Sequence, residues 1–297
     1  MPRPVVVGLD GSRESLAAAD WAAREALRRG LPLRLVHAWE GGTSAGEPGL
    51  PELAAPRYWS ERILQGGLDR LGESYPQVRL SADQVPHSAP DALGTVGDEA
   101  ELLVLGSRAF TGFGGFMAGS VALATVARVT RPVVLVRAHQ SLESEHLPDA
   151  DGRPSVATPY RDVVVGVDPA HRCEDLLAFA FESAMMRAAP LRAVYAWRLP
   201  YMPGAAEAKA RKAMGAAAAH ALRTVLEPWR EKFPTVEVQE LAPEGRAAVQ
   251  LTHAAQDAAL LAVGRRIRPT RIGTHTGPVA HAVMHHVRCP VAVVPHE

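Results

Sequence analysis

Val5-Val6-Val7-Gly8-Leu9-Asp10-Gly11-Ser12 opens the chain, and 158 positions later it returns as Val163-Val164-Val165-Gly166-Val167-Asp168-Pro169-Ala170. The stretch is short and apolar, then breaks into a carboxylate and a turn. A continuous apolar run suits a strand buried on both faces of a parallel sheet, whereas alternation would mark a half-covered one. The same offset relates Ala38-Trp39 to Ala196-Trp197, Gly106 to Gly264, Gly119 to Gly277 and Pro132-Val133 to Pro290-Val291. A repeat of this length, with no net insertion, is a duplicated domain and not a solenoid unit of a few dozen residues.

Outward from that strand, each half alternates. Apolar runs at 102–105 and 133–136, a second strand at 32–39 and an alternating edge strand at 78–85 are separated by helical patterns at 12–29, 57–74, 89–99 and 120–130. Leu16, Ala19, Ala23, Ala26 and Leu27 fall on one face of the first helix. The second half repeats the order, with strands at 162–168, 191–197, 235–241, 259–263 and 291–294. The fold class is α/β: two tandem doubly wound, Rossmann-like domains, each with a five-stranded parallel sheet, over residues 1–140 and 158–297. Residues 138–160, polar and punctuated by Pro and Gly, read as a linker.

Composition narrows the function. A chain of 297 residues with 47% hydrophobic and 22% charged side chains has the make-up of a soluble globular protein. Lys+Arg and Asp+Glu balance at 32 each, so no global field gathers nucleic acid or an anionic membrane. Cys173 and Cys289 stand far apart, without the spacing of a disulfide framework or a zinc site, which fits a reducing compartment. There is no secretory pattern at the start and no apolar run of membrane-spanning length, so a cytoplasmic location is expected.

Two segments lie where this fold places ligands, at the carboxyl ends of the strands. One is Asp10-Gly11-Ser12, with Ser12 a natural N-cap. The other runs from Gly106 to Ser120 and includes Ser107, Arg108 and Ala109; its glycines permit close backbone approach. Gly119-Ser120-Val121 then opens a helix whose free amides favour an anion. A plain strand-to-helix connection would use the same residues. No Walker motif is present, and no Ser/His/Asp or Cys/His arrangement nominates a nucleophile. Arg265, Arg266, Arg268 and Arg271 read as a solvated loop. His281 and His285 share a helix face without a third metal ligand, so no metal site is assigned.

The combination of Val-Gly-Leu-Asp-Gly-Ser, Val36-His37-Ala38-Trp39, the glycine loop and Arg-Pro-Val-Val-Leu-Val resembles the universal stress protein family in both halves. The resemblance implies binding of ATP or a related adenine nucleotide such as AMP, with Mg carried on the phosphates. It also implies a role in stress response as sensor or regulator and at most a weak ATPase. The alternatives are a scaffold member that binds no nucleotide and an enzyme on the same architecture. By matching position, Asp10 would face the adenosine, the Val36 backbone the adenine edge and Gly106 the ribose. The loop near Ala109 and the Gly119-Ser120-Val121 amides would hold the phosphates. Family members commonly pair through their last strands. The apolar Val133–Val136 and Val291–Val294 therefore imply an internal pseudo-dimer, with further pairing of two chains as a homodimer.

The halves depart from the family loop unequally. Ala109 replaces a glycine in the first half. In the second, the frame falls on Gly264, Ile267, Gly277 and Pro278, while Asp168 is followed by Pro169-Ala170. A β-branched residue at positive φ would be an outlier, and Pro278 removes an amide donor. Nucleotide is therefore expected mainly in the N-terminal domain.

Overall fold

The computed structural model describes residues 2–39, 51–107, 120–201, 206–267 and 276–297. They form two compact units, one ending at Ser141 and one beginning at Leu142. The first unit runs β1 (Val5–Gly8), α1 (Arg13–Arg29), β2 (Leu33–Trp39), α2 (Pro51–Ser74), β3 (Leu80–Pro86), α3 (Ala89–Glu99), β4 (Leu102–Ser107), α4 (Ser120–Arg128) and β5 (Val133–Arg137). Its strands are parallel in the order β3-β2-β1-β4-β5. Right-handed crossovers send α1 and α2 to one face and α3 and α4 to the other. Val5, Val6 and Val7 are 0% exposed at the centre of this sandwich. Each such valine contributes about 1.5–3 kcal/mol of burial.

The first helix shows how local chemistry sets an element. The Ser12 hydroxyl accepts the Ser15 amide at the N-cap, and Gly30 ends the helix in the left-handed region at φ 65°. The buried face is wider than the sequence pattern predicts: Ala18, Trp21 and Ala22 are buried with Ala19, Ala23 and Ala26. Leu27, expected on that face, is 47% exposed, and Leu16 is half-buried. Small residues on the inner face let α1 lie close to β1, β4 and β5.

The second unit runs β6 (Val163–Gly166), α5 (Glu174–Arg187), β7 (Leu191–Val194), α6 (Ala206–Lys232), β8 (Val238–Leu241), α7 (Ala247–Ala254), β9 (Leu260–Arg266), α8 (Pro278–His286) and β10 (Val291–His296). The strand order is β10-β9-β6-β7-β8, again parallel. The regular strand predicted at 191–197 ends at Val194, but pairing continues past it: Tyr195 N–H and Trp197 N–H donate to the Leu241 and Pro243 carbonyls at 2.9 and 3.1 Å, and Trp197 bridges Glu244. Much of the expected linker is ordered as part of this unit. A 3₁₀ turn covers Glu143–Glu145, and His146 bridges Tyr160 in antiparallel fashion. Leu147 N–H donates to the Pro159 carbonyl at 2.9 Å, and the His146 and Tyr160 rings lie 3.9 Å apart. Polar composition misleads here because Asp149 bonds its own turn, accepting from the Asp151 and Arg153 amides.

Candidate functional site

In the first unit β1 lies between β2 and β4, and the helices that follow those strands leave on opposite faces. A crevice opens at the carboxyl end of β1 for that reason. The β1–β2 ladder ends where Leu9 N–H donates to the Val36 carbonyl at 2.8 Å. The chain then turns through Asp10-Gly11-Ser12. Asp10 Oδ1 accepts the Ser12 amide at 2.9 Å and the Ser12 hydroxyl at 2.5 Å. Ser15 Oγ closes the turn, accepting from Asp10 N–H at 3.3 Å and donating to the Ser12 carbonyl at 3.0 Å. Gly11 takes φ +80°, and a Cβ there would meet Ile63 of α2 at 3.4 Å. The outcome is an exposed carboxylate held in one orientation at the strand end.

Gly106, next to the last residue of β4, is dictated by packing. A Cβ would lie 2.6 Å from Glu14 C and from Ser15 N, backbone atoms that cannot yield. Asp10, Gly11, Ser12, Gly106 and Ser107 are thus gathered around the first turn of α1. Arg108, Ala109 and Gly119 lie outside the described residues. Ser120 begins α4, and Val121 is half-buried in its first turn. Val36 differs from expectation: it is 0% exposed, and its carbonyl already accepts from Leu9. Leu33 N–H donates toward β3, to Arg79, so alternate residues Arg34, Val36 and Ala38 turn their backbone toward β1. The residue that faces the opening past the end of the ladder is therefore Ala38.

The equivalent end of the second unit is built differently. Pro169 replaces Gly11 and cannot adopt a positive φ. Asp168 instead lies 2.8 Å from His171 Nδ1 through Oδ2 and accepts the Ala170 amide at 3.2 Å through Oδ1. α5 starts only at Glu174, three positions later than the repeat frame requires, and its N-cap Cys173 makes no side-chain cap bond. Burial, aided by the charges of Glu174 and Asp168, pushes the Cys173 thiol up to about 11. Above Gly264, the His296 ring lies 2.6 Å from where a Cβ would stand. Gly277 keeps a positive φ of 78° before Pro278 at the start of α8. Ile267 is not strained: among the described residues, only His87 and Ala188 are non-glycines at positive φ.

Three polar atoms complete the contrast. Trp39 Nε1 at the end of β2, Ser60 Oγ on α2 and Ser107 Oγ at the end of β4 are buried without a hydrogen-bond partner among the described residues. Ser60 and Ser107 are 0% and 2% exposed. Each such group costs about 1–3 kcal/mol when its bond is unmade. In the second unit, Trp197 Nε1 donates to the Ala242 carbonyl at 2.9 Å, and the indole packs 3.1 Å from the Cβ position of Gly215. Ala218 and Arg265 occupy the places of Ser60 and Ser107. The sequence singles out Trp39 only as a repeated strand-end residue and gives Ser60 no role. A signal for Ser60 was available, because it shares the apolar stripe of Leu64, Gly67 and Leu71, where a hydroxyl needs a reason.

Comparison with known proteins agrees with the fold. Over 299 residues the chain is 30% identical to universal stress protein Rv2005c of Mycobacterium tuberculosis, spanning 97% of this chain and 96% of that one. Universal stress protein Rv2623 of the same organism is 29% identical over 311 residues, at 97% and 95% coverage. A universal stress protein crystal structure from Archaeoglobus fulgidus superposes with a TM-score of 0.69 at 12% identity, covering 99% and 98% of the two chains. The family model described as "Universal stress protein family" matches residues 1–137 and again 159–295. The chain therefore belongs to the universal stress protein family, as a tandem member with one domain in each half.

Proposed function

We propose that the first unit binds ATP or a related adenine nucleotide and that the protein acts as a nucleotide-responsive regulator in stress, with the second unit largely silent toward nucleotide. The observation that carries this reading is the unequal state of the two crevices. The first presents Asp10 on a rigid turn, and there Trp39 Nε1, Ser60 Oγ and Ser107 Oγ have no partners among the described residues. In the second, equivalent groups bond within the protein or are replaced. Chemically, the first set suits a nucleoside. A carboxylate accepts from vicinal ribose hydroxyls, and hydroxyl and indole groups at a strand edge match a polar heterocycle. The Ala38 backbone, in place of Val36, offers a donor and an acceptor to the base edge. The amides that open α4 at Ser120 suit phosphate, and a magnesium ion would be held by phosphate oxygens and water.

Among the described residues of the first crevice, the hydroxyl that meets a carboxylate, Ser12 on Asp10, is also engaged as the N-cap of α1, where it accepts the Ser15 amide, so a binding role fits better than turnover. The test is calorimetry on the full chain with ATP, beside Asp10→Ala and Asp168→Ala. One nucleotide per chain is expected, weakened at least ten-fold by the first substitution and unaffected by the second. Two equivalent sites, no binding, or dependence on Asp168 alone would overturn the assignment.

A further inference from the structure

We infer that the outward face of α2 is the surface on which a second copy of this chain docks, helix against helix and antiparallel, a contact independent of the nucleotide reading above. Tyr58 and Trp59 are 54% and 59% exposed on that helix. Their rings meet edge to face with centroids 5.9 Å apart. The Arg62 guanidinium lies 5.7 Å from the Tyr58 centroid and 5.6 Å from that of Trp59, and its Nη1 reaches the Tyr58 hydroxyl at 3.4 Å. The cluster is therefore ordered before anything binds it, which lowers the entropy cost of docking. Trp, Tyr and Arg are also the residues on which interface energy concentrates. The helix does not need them in order to fold. In the second unit Ala216, Ala217 and His220 hold the equivalent positions of α6, and that helix still buries Leu222 and Leu226 completely.

The charges along the face select the partner. Arg62 and Asp69 are both exposed and stand about two helical turns apart on one stripe. An antiparallel copy, related by a two-fold axis between Gln65 and Gly66, brings Arg62 opposite the second copy's Asp69 and, by symmetry, Asp69 opposite its Arg62. The same axis sets Tyr58 opposite the second copy's Glu73 and Trp59 beside its Arg70. Asp69 accepts Gln65 Nε2 at 2.7 Å through Oδ1, and a carboxylate has capacity left for a guanidinium. Gly66 clears the axis: a Cβ built there would meet nothing within 4 Å, and without one the two helices can approach closely. α6 lacks this self-complementarity, with Thr224 at the place of Gly66, Pro228 at that of Arg70 and alanine for both aromatics. A buried Trp or Tyr contributes about 150–250 Å², so the half-exposed rings of two copies add about 300–500 Å². A standard interface buries roughly 1,600 Å², and the dimer is accordingly weak and concentration-dependent.

The experiment is sedimentation velocity on the full chain without nucleotide, from low micromolar to submillimolar concentration at low salt. Wild type should pass from monomer to dimer across that range. Trp59→Ala installs the residue that the second unit already tolerates, so folding is not at issue, and it should weaken the dimer at least ten-fold. Arg62→Asp places two carboxylates face to face, and Asp69→Arg two guanidiniums; each should abolish the dimer. The double variant Arg62→Asp with Asp69→Arg restores opposite charges across the axis and should bring the dimer back. All the substituted side chains are exposed, so the variants should keep the wild-type circular dichroism. A wild type that stays monomeric throughout would overturn the inference. So would a dimer that Trp59→Ala and Arg62→Asp leave unchanged, because the copies would then meet elsewhere, or a charge-swapped double variant as monomeric as either single one.

Discussion

Replacing Ser107 with alanine should make the free protein more stable and its nucleotide complex weaker. The hydroxyl is 2% exposed at the end of β4 and has no partner among the described residues. Its removal deletes an unmet desolvation penalty of about 1–3 kcal/mol and leaves almost no cavity. For a domain of this size, each kcal/mol shifts the melting temperature by about 2–4 °C, so the free variant should melt several degrees higher. If the crevice receives a nucleotide, the same hydroxyl makes a bond in the complex. Its loss then costs about 0.5–1.5 kcal/mol against a neutral partner and up to about 3 against phosphate, a complex weaker by about two-fold to about 150-fold.

The assay is thermal unfolding followed by tryptophan fluorescence, with and without saturating ATP. The control is Thr125→Val, because Thr125 Oγ1 is another buried hydroxyl without a partner, within α4 and 0% exposed. That variant should gain stability in the same way and keep its ligand-induced shift. Ser107→Ala should gain stability and lose part of the shift. A lower melting temperature for free Ser107→Ala, together with an unchanged shift on ATP, would refute the reasoning: the hydroxyl would then be satisfied without ligand.

His87 ends β3 at φ 112°, where its counterpart Gly245 takes φ 150°. A non-glycine there stores about 1–3 kcal/mol, and glycine adds about 0.5–1 kcal/mol of chain entropy to the unfolded state. His87→Gly should therefore raise the unfolding free energy by about 1 kcal/mol, read as a higher urea midpoint, and a lower midpoint would show that the imidazole makes a contact worth more than the strain. Cys173, with its thiol pushed up to about 11 by burial, should resist a thiolate-directed disulfide reagent near neutral pH and react only on unfolding. The same shift has a definite sign in stability. The folded state keeps the proton above the unfolded thiol's value near 8.5, so this contribution is complete below that pH and is lost as pH rises toward 11. Cys173→Ala should flatten that alkaline slope, and an unchanged slope would count against it.

Strand and helix order were legible because burial on two faces forces apolar continuity, which a sequence displays directly. Val5–Val7 and Val163–Val165 could be placed without any partner being known. Leu27 was misplaced because a helix wedged between a sheet and a neighbouring helix buries more than one stripe, and small residues such as Ala18 and Ala22 carry little hydrophobic signal. The carboxylate turn was legible, since Asp-Gly-Ser at a strand end has one efficient way to bond itself. The Val36 carbonyl is spent inside the ladder, one backbone alternation short of the opening. Which side of β2 faces β1 follows from the Leu9–Val36 and Leu33–Arg79 bonds, and these belong to tertiary register. Ser60 needed the fold before its chemistry acquired a direction. The second strand of the second half was drawn longer than its regular part, because Val194-Tyr195-Ala196-Trp197 has strand composition and its Tyr195 and Trp197 amides still bond the neighbouring segment past Val194.

The duplication makes one physical trade-off visible within a single chain. A crevice that receives a polar ligand has to hold polar groups out of water and without partners until the ligand arrives, and the fold bears that cost in the free state. Among the described residues, the first unit has such groups at Trp39, Ser60 and Ser107 and adds a non-glycine at positive φ in His87. In the second unit the counterpart indole bonds Ala242, alanine replaces Ser60, arginine replaces Ser107 and glycine replaces His87. The balance is not one-sided, because the second unit carries its own left-handed non-glycine, Ala188, where the first has Gly30. If the first crevice is the nucleotide site, stabilisation by ATP should fall on the first unit and leave the second unchanged, and equal protection of both units from hydrogen exchange would refute the asymmetry.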